Sequence, residues 1–375
     1  MSCYHKKLMV LGQRADGKYK PIFLNRHVDF QNLPVHDVSS SFLYDNQVLA
    51  LPPSLMIPDD PEKQKVFQVP CGNCIGCRLD YSRTWADRIV MESMMTNPGQ
   101  SWFLTLTYDD DLLPDINGNP ALEPVAVDDI SGKVVYQQRF SFGVPSLYPR
   151  HLELFMKRLR KRFGDGLKFF AAGEYGGVSG RPHYHLCVMN LDLQDLKFYK
   201  VNELGDVLYT SKELESIWSF GFCPVGRLNW QTAAYTARYI MKKQKGKAAS
   251  FYRERNIEPE FVRMSRRPGL AASFFQQRRS SLYPVSESGD PTGSRCVLPA
   301  LDRGSAYRVD SVRYFDKLLD QVDPDLLRKY KKYREDLGAS SHREQRALDP
   351  GFEGRYFAFK EEEKYKSVNL LLRNL

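Results

Sequence analysis

Between residues 102 and 243 the hydrophobic and polar positions follow two distinct periods. Residues 102–108, Trp-Phe-Leu-Thr-Leu-Thr-Tyr, alternate in the manner of a half-buried strand. Residues 151–163 instead repeat apolar side chains at helical spacing, with arginine and lysine between them. The same two patterns recur further along this part of the chain. They predict strands over residues 167–173, 183–189 and 222–228, and helices over residues 211–218 and 230–243.

The order of these elements predicts an α+β fold. A glycine-rich loop over residues 175–182 is too short for a crossover, so the strands that flank it are expected to pair antiparallel. We therefore predict an antiparallel sheet with helices on one side. Three segments follow: an N-terminal region with cysteines and a helix over residues 1–100, a core over residues 101–250, and a partly helical C-terminal extension over residues 251–375.

The 375-residue chain has the composition of a soluble globular protein, with 42% apolar and 26% charged residues. No apolar run is long enough to span a bilayer, and residues 1–7 lack the apolar stretch of a secretory signal. We therefore expect a cytoplasmic protein without a membrane partner.

The net charge is +9, from 54 basic and 45 acidic residues. Much of the positive charge lies in runs rich in lysine and arginine, at residues 157–162, 242–247, 263–267 and 328–334. A single run is more often a solvated helix face. Several such runs with aromatic side chains among them favour a nucleic-acid partner.

His183 and His185 flank Tyr184 in a predicted strand. Side chains alternate along a strand, so both imidazoles face one side while Tyr184 faces the other. Two imidazoles on one face can bind a divalent metal, although His-x-His also occurs in ordinary strands. Glu174 ends the preceding strand, and a symmetric hairpin register would place it beside His183; an exposed loop carboxylate is the alternative. A second possible carboxylate site, residues 109–111, is more typical of a solvated turn.

The predicted helix over residues 230–243 carries Tyr235 and Tyr239 four positions apart, so they share one face. Lys242 lies three positions beyond Tyr239 and roughly shares that face. A phenol can attack a phosphodiester and keep the 5′ phosphate as a covalent ester. A nearby metal and Lys242 would favour the phenolate form. Two tyrosines on an ordinary helix are the alternative, but the histidines and the basic chain lead us to favour chemistry.

Three blocks of the sequence resemble the HUH endonuclease superfamily. They are Phe-Leu-Thr-Leu-Thr-Tyr over residues 103–108, Gly-Arg-Pro-His-Tyr-His over residues 180–185, and the two-tyrosine segment over residues 235–242. The helix with two tyrosines resembles the replication initiators of the Microviridae, which are small phages with single-stranded DNA. Further segments are similar to the gokushovirus branch of that family, namely residues 70–78, 173–176 and 263–269.

The resemblance implies a nuclease core of the ferredoxin/RRM-like type and initiation of rolling-circle replication. It implies that His183 and His185 bind Mg²⁺ or Mn²⁺, with Glu174 as a looser third ligand, and that Tyr235 and Tyr239 are the nucleophiles. Lys242 matches the lysine that follows the second tyrosine in the family. The enzyme would nick single-stranded origin DNA through a 5′-phosphotyrosine intermediate and later transfer the strand to close a circle.

The expected partners follow from the same resemblance. The sequence contains no nucleotide-binding P-loop, so helicase activity would come from another protein. Besides single-stranded viral origin DNA, we expect the helicase and polymerase of the host replication machinery as partners, in the cytoplasm of the bacterial host.

The cysteines predict a second site. The chain has seven of them, and an odd number without a secretory signal argues against a disulfide framework. Cys71, Cys74 and Cys77 supply three thiolates, and a structural Zn²⁺ needs four ligands. Cys3 or His5 would complete the set if the N-terminus folds back. The alternative is a tight turn whose reduced thiols cap the next helix.

Two other functions are compatible with these patterns. A non-enzymatic, zinc-stabilised protein that binds single-stranded nucleic acid would use the basic runs and the aromatic side chains, and would bind without cleavage in Mn²⁺. A two-tyrosine transposase of the same superfamily is the other alternative. The segments that resemble gokushoviruses argue against the transposase.

Overall fold

The structure is a computed structural model and describes most of the chain. The described residues are 3–5, 7–24, 41–44, 47–50, 54–64, 67–127, 134–138, 143–177, 179–203, 205–239, 243, 246–294, 296–298, 306–309, 312–348 and 358–367.

The elements follow one another along the chain as strands and helices of mostly short length. The strands are β1 Lys7–Gln13, β2 Tyr19–Leu24, β3 Ser41–Tyr44, β4 Gln47–Ala50, β5 Phe67–Val69, β6 Ser101–Leu106, β7 Leu122–Val127, β8 Val134–Gln138, β9 Lys168–Tyr175, β10 Pro182–Met189, β11 Lys197–Val201, β12 Val207–Thr210, β13 Val225–Arg227, β14 Phe261–Met264, β15 Val297–Leu298 and β16 Tyr307–Arg308. The helices are α1 Ile75–Ser93, α2 Pro149–Phe163, α3 Lys212–Trp218, α4 Trp230–Arg238, α5 Ser250–Glu254, α6 Ala272–Leu282, α7 Arg313–Val322 and α8 Pro324–Leu348, and a further helix covers residues 358–367. Within the described ranges, no helix combines the length and the apolar character needed to cross a bilayer.

The largest sheet has seven strands in the order β11-β12-β13-β6-β10-β9-β14, each antiparallel to its neighbours. Strands β9 and β10 form the predicted hairpin, in the register that sets Glu174 opposite His183. Strand β6 lies on the other side of β10 and sets Thr105 opposite His185. The predicted α+β class with a large antiparallel sheet is confirmed.

Helices pack against both faces of this sheet. Leu186 and Val188 of β10 belong to a hydrophobic cluster that includes residues of α2 and α3. Cys187 and Met189, which alternate with them, belong to a second cluster with residues of α1, α4, α6 and α7. The period of two along β10 therefore divides its side chains between two cores. The structure thus adds a second helical layer to the one that the sequence pattern indicated.

The chain divides into two compact units. One comprises residues 1–80 and 345–375, and the other comprises residues 81–344. The first contains the three-stranded sheet β2-β1-β5, and the second contains the seven-stranded sheet. Strand β14 belongs to that larger sheet although it lies beyond residue 250, so the sheet continues past the end of the predicted core segment.

Two helices end at positions that the periodicity did not indicate. Helix α4 ends at Arg238 rather than at Lys243, although Tyr239 keeps helical dihedral angles of −62° and −21°. Tyr235 and Tyr239 therefore still share a face. In the C-terminal extension, α7 and α8 are separated at Asp323, because Pro324 has no backbone N–H to donate to the preceding turn.

The cluster between the sheet and α2 predicts a large difference between two phenylalanines. Phe155 of α2 is 1% exposed, whereas Phe198 of β11 is 66% exposed. We expect Phe155→Ala to lower the free energy of unfolding by about 3–5 kcal/mol, because it leaves a cavity. The matched control Phe198→Ala should change it by less than about 0.5 kcal/mol. Urea-unfolding curves measure both, and equal losses would show that the assigned core is wrong.

Candidate active site

Glu174, His183 and His185 meet where β9 and β10 pair. Their potential ligand atoms all lie within 4.8 Å of one another. Oε1 of Glu174 is 2.8 Å from Nε2 of His183 and 3.1 Å from Nε2 of His185. Glu174 is only 2% exposed, so one buried carboxylate oxygen serves two imidazoles. The hairpin register, rather than an exposed loop, determines the position of Glu174.

Hydrogen bonds at Nδ1 orient both imidazole rings. Nδ1 of His183 lies 3.0 Å from the carbonyl oxygen of Arg181, and a carbonyl only accepts, so this nitrogen carries the proton. Nδ1 of His185 lies 3.1 Å from the hydroxyl of Thr105. In a neutral His183 ring, Nε2 then directs a lone pair at a carboxylate oxygen. Two acceptors so close together need a proton or a cation between them.

Two imidazoles and one carboxylate form a donor set that suits a divalent metal with open coordination positions. A buried carboxylate also needs compensating positive charge. The partners at Nδ1 are of the kind that orient imidazole ligands in metal sites. The residues present therefore fit the expected cation. Mg²⁺ usually binds through oxygen atoms alone, so this set suits Mn²⁺ better.

Helix α4 is fixed in place by its cap and its buried face. The side chain of Asn229 accepts a hydrogen bond from the backbone N–H of Thr232, and the Thr232 hydroxyl accepts one from the backbone N–H of Asn229. Ala233 and Ala237 are fully buried in the cluster beneath the helix. Small side chains on that face allow α4 to approach the sheet closely, with its tyrosines directed at the histidines.

The two tyrosine rings contact the same imidazole. The ring of Tyr239 is stacked on His185, with 5.0 Å between centroids and an interplanar angle of 6°. Tyr235 meets His185 edge-on, also with 5.0 Å between centroids. Phe103 stacks on His185 at 5.5 Å and so helps to hold the imidazole from β6. The structure therefore brings both predicted tyrosines to the cluster of Glu174 and the histidines.

Both phenols hold their protons more tightly than a free tyrosine does. Burial raises the pKa of Tyr239 far above its ordinary value, and the neighbouring Glu174 carboxylate raises it further. Burial also raises the pKa of Tyr235. A cation beside Glu174 would oppose the effect of the carboxylate on both groups.

Two other predicted features have different outcomes. Lys242 lies outside the described residues. Asp110, in the acidic turn after β6, pairs with Arg181. Neither it nor its acidic neighbours Asp109 and Asp111 belong to the metal-ligand clusters found in the described part of the chain.

A cleft of about 940 Å³ opens beside the β9–β10 hairpin. Its lining includes Arg181, which precedes β10, and Phe251 and Arg255, which lie in and just after α5. The guanidinium of Arg255 lies 4.3 Å from the ring centroid of Phe251. A cation over a partly exposed ring suits a phosphate and a stacked base. Sequence reasoning missed Phe251 and Arg255, although residues 251–255 alternate aromatic and charged side chains.

Comparisons with known proteins place the chain in a family. The family model for replication-associated proteins of the ORF2 type matches residues 101–244. The replication-associated protein ORF2 of Spiroplasma virus 4 is 34% identical over 257 residues, which cover 68% of each protein. The chain belongs to the phage replication-associated protein family. This confirms the resemblance to microvirus replication initiators.

Two further relatives of this replication-associated protein match over shorter stretches. The replication-associated protein VP4 of Bdellovibrio phage phiMH2K is 32% identical, over 47% of this chain and 49% of its own length. The replication-associated protein ORF4 of Chlamydia phage 1 is 29% identical, over 48% of this chain and 40% of its own length. No solved structure matches the chain. The region that matches the family model contains Glu174, both histidines and both tyrosines.

A buried network supports β10 of the replication-associated protein from the face opposite the site. The hydroxyl of Tyr184 donates to the carbonyl oxygen of Tyr148 at 2.9 Å and lies 2.9 Å from the hydroxyl of Tyr108. The Tyr108 hydroxyl in turn lies 2.9 Å from Nδ1 of His151. The central residue of His-Tyr-His is thus anchored in one core while the two histidines face the other.

The predicted cysteine cluster is also brought together. The sulfur atoms of Cys3, Cys71, Cys74 and Cys77 all lie within 4.8 Å of one another, in the unit of residues 1–80 and 345–375. His5, the other candidate for the fourth ligand, instead pairs with Glu361, with 2.6 Å between Nε2 and Oε2.

The burial of His151 predicts a pH dependence of stability. Burial, with a contribution from Arg158, lowers the pKa of His151 from 6.5 to about 4. Below about pH 6.5 the unfolded chain takes up a proton that the folded chain refuses, so stability is lost as the pH falls toward 4. We expect this histidine to account for about 2 kcal/mol of the loss between about pH 7 and about pH 5.

Urea unfolding of the wild type and of His151→Phe at the two pH values measures this contribution. The variant keeps a ring beside Phe220, whose centroid lies 4.0 Å from that of His151, but it cannot be protonated. Its loss of stability on acidification should be smaller by about 2 kcal/mol. An identical loss in both proteins would show that His151 does not stay neutral in the folded state.

Proposed function

We propose that this protein initiates rolling-circle replication by cutting single-stranded origin DNA with a tyrosine. The observation that carries the proposal is the contact of two phenol rings with His185, each with 5.0 Å between centroids, beside the Glu174–His183 pair. Membership of a replication-associated protein family supports the role in replication. The nucleophile, the metal ligands and the substrate are our assignments.

In this proposal Glu174, His183 and His185 hold a divalent cation, Mn²⁺ or Mg²⁺. Such a cation polarises a phosphate oxygen and stabilises the negative charge that develops on it. Thr105 and the carbonyl of Arg181 keep the Nε2 atoms of the two histidines turned toward the carboxylate. The rings of Phe103 and Tyr239, both stacked on His185, exclude water from its sides.

The proposed cleavage exchanges one phosphate ester for another. The phenol oxygen of Tyr235 or Tyr239 bonds to phosphorus while the bond from phosphorus to the 3′ oxygen breaks. The phenol proton leaves to solvent or a nearby base, and the released 3′ oxygen gains a proton. The 5′ phosphate remains on tyrosine. Because the number of phosphate ester bonds is unchanged, attack by a free 3′ hydroxyl reverses the step and joins strands without a nucleotide cofactor.

Two adjacent phenols suit a reaction with two cuts. Tyr235 and Tyr239 have 4.9 Å between ring centroids, so either can reach the same phosphate site. While one tyrosine carries the 5′ end, the other cleaves the regenerated origin, and strand transfer closes the circle. We assign Lys242 a supporting role, favouring the phenolate by its positive charge.

The substrate we propose is single-stranded viral origin DNA. The net charge of +9 favours binding to the phosphate backbone. Arg181 and Arg255, with the ring of Phe251, line the cleft next to the histidines and would hold the strand that enters the site. The host helicase and polymerase would supply unwinding and synthesis, in the cytoplasm of the bacterial host.

Variants of the two tyrosines test the nucleophile. We expect Tyr235→Phe/Tyr239→Phe to form no covalent adduct with single-stranded origin DNA in Mn²⁺, because the oxygen that attacks phosphorus is absent. Denaturing gels of 5′-labelled and 3′-labelled substrate measure the adduct. Tyr199→Phe is the matched control, because Tyr199 is 46% exposed on β11, and this variant should react like the wild type.

An adduct of undiminished yield in the double variant would show that the nucleophile is wrong. Binding of the same DNA by the wild type in Mn²⁺, with no cleavage at any concentration, would favour the non-enzymatic nucleic-acid binding protein instead.

The Thr105 hydroxyl provides a test of the metal ligands. Thr105→Val removes the partner of His185 Nδ1 and leaves the ligand itself in place. We expect the Mn²⁺ concentration for half-maximal cleavage to rise about 10–100-fold, as is typical when such outer partners are lost. Thr105→Ser keeps a hydroxyl and should restore most of the affinity. Equal Mn²⁺ dependence in Thr105→Val and the wild type would contradict the role of His185 as a ligand.

A further inference from the structure

The described part of the N-terminal unit brings four cysteines to one edge of its small sheet. Strands β1 and β5 are antiparallel, with Lys7 opposite Val69, so the start of β1 and the end of β5 lie at the same edge. Cys3 precedes β1 and Cys71 follows β5. Residues 74 and 77 are one helical turn apart at the beginning of α1. The strand pairing thus gathers residues that are 68 positions apart in the chain.

The separations between the sulfur atoms fit a tetrahedron around one metal ion. Sγ of Cys71 is 3.9 Å from Sγ of Cys77, and Sγ of Cys74 is 3.9 Å from Sγ of Cys3. Bonds of about 2.3 Å from zinc to sulfur place the corners of a tetrahedron about 3.8 Å apart. A disulfide would need about 2.05 Å between sulfur atoms, and all four cysteines are free.

Backbone N–H groups are directed at these sulfur atoms. The N–H of Cys71 donates to Sγ of Cys3 at 3.2 Å, and the N–H of Cys74 donates to Sγ of Cys71 at 3.2 Å. The N–H of Asn73 adds a third, to Sγ of Cys71 at 3.4 Å. Gly72, with φ of +75°, allows the turn that exposes these groups. Donors aimed at sulfur stabilise the charged thiolate, the form that binds metal.

We propose that Cys3, Cys71, Cys74 and Cys77 bind one Zn²⁺ in a closed, four-sulfur structural site. His5 is not a ligand, because its Nε2 is engaged by Glu361 and its side chain is 62% exposed. All four coordination positions are filled by protein sulfur, which leaves no position for a substrate. The site therefore differs in chemistry from the cluster of Glu174 and the histidines, which offers one carboxylate and leaves positions open.

The sparse core of this unit gives the zinc a structural purpose. Among the residues of the unit whose side chains are described, the buried apolar ones other than the cysteines are Val10, Leu55 and Ile75. A unit with so few buried side chains is usually stabilised by a disulfide or a metal. Zinc would join the segment before β1, the end of β5 and the first turn of α1 at one point.

Metal analysis of the purified full-length protein tests the proposal. We expect about one zinc per chain in the wild type, with zinc absorption spectra that show four sulfur neighbours at about 2.3 Å. Cys74→Ser should lose most of this zinc. Cys296→Ala, a buried cysteine outside the cluster, is the matched control and should keep it. His185→Ala should also keep it, which separates this site from the one proposed for cleavage.

The absorption spectrum of the wild type decides the ligands even if Cys74→Ser fails to fold. Nitrogen or oxygen neighbours in place of sulfur would overturn the proposal, as would iron in place of zinc. Folded wild-type protein without bound metal, or undiminished zinc in Cys74→Ser, would overturn it as well. None of these outcomes depends on nicking activity, so failure here is distinct from failure of the proposed function.

Discussion

The buried carboxylate of Glu174 is the interaction on which the candidate active site depends. Its oxygen lies within 3.1 Å of two imidazole nitrogens while its side chain is almost fully removed from water. A charge in such a position requires positive partners, and the histidines alone can supply them only by taking up a proton. A divalent cation satisfies the carboxylate and both imidazoles together, which is why the cluster indicates a metal site rather than a structural ion pair.

Strand register makes this interaction possible. Glu174 is opposite His183 in β9 and β10, and Thr105 of β6 is opposite His185. A slip of one residue would turn both histidines into the core under α2 and bring Tyr184 to the other face. The hydroxyl network of Tyr184 with Tyr108 and Tyr148 opposes such a slip, because it would leave buried hydroxyl groups without partners. The anchor and the site are therefore two faces of the same strand.

The local parts of this arrangement could be predicted from sequence. Alternation placed His183 and His185 on one face, the short loop implied the position of Glu174, and helical spacing paired Tyr235 with Tyr239. Contacts between distant segments could not be predicted in this way. No period in the sequence indicates that Thr105 would lie beside His185, that β14 would join the sheet from beyond residue 250, or that Phe251 and Arg255 would line the cleft. The choice between Cys3 and His5 likewise depended on how β1 pairs with β5.

The central claim is that a phenol beside the Glu174–His183–His185 cluster becomes covalently linked to DNA. The most direct measurement is peptide mapping by mass spectrometry, after the wild-type protein has reacted with the phage's own single-stranded DNA in Mn²⁺. The account predicts a nucleotide 5′ phosphate on Tyr235 or Tyr239, and no such peptide when a chelator has removed the metal. A phosphate attached to any other residue, or an adduct that forms equally well in the chelator, would contradict it.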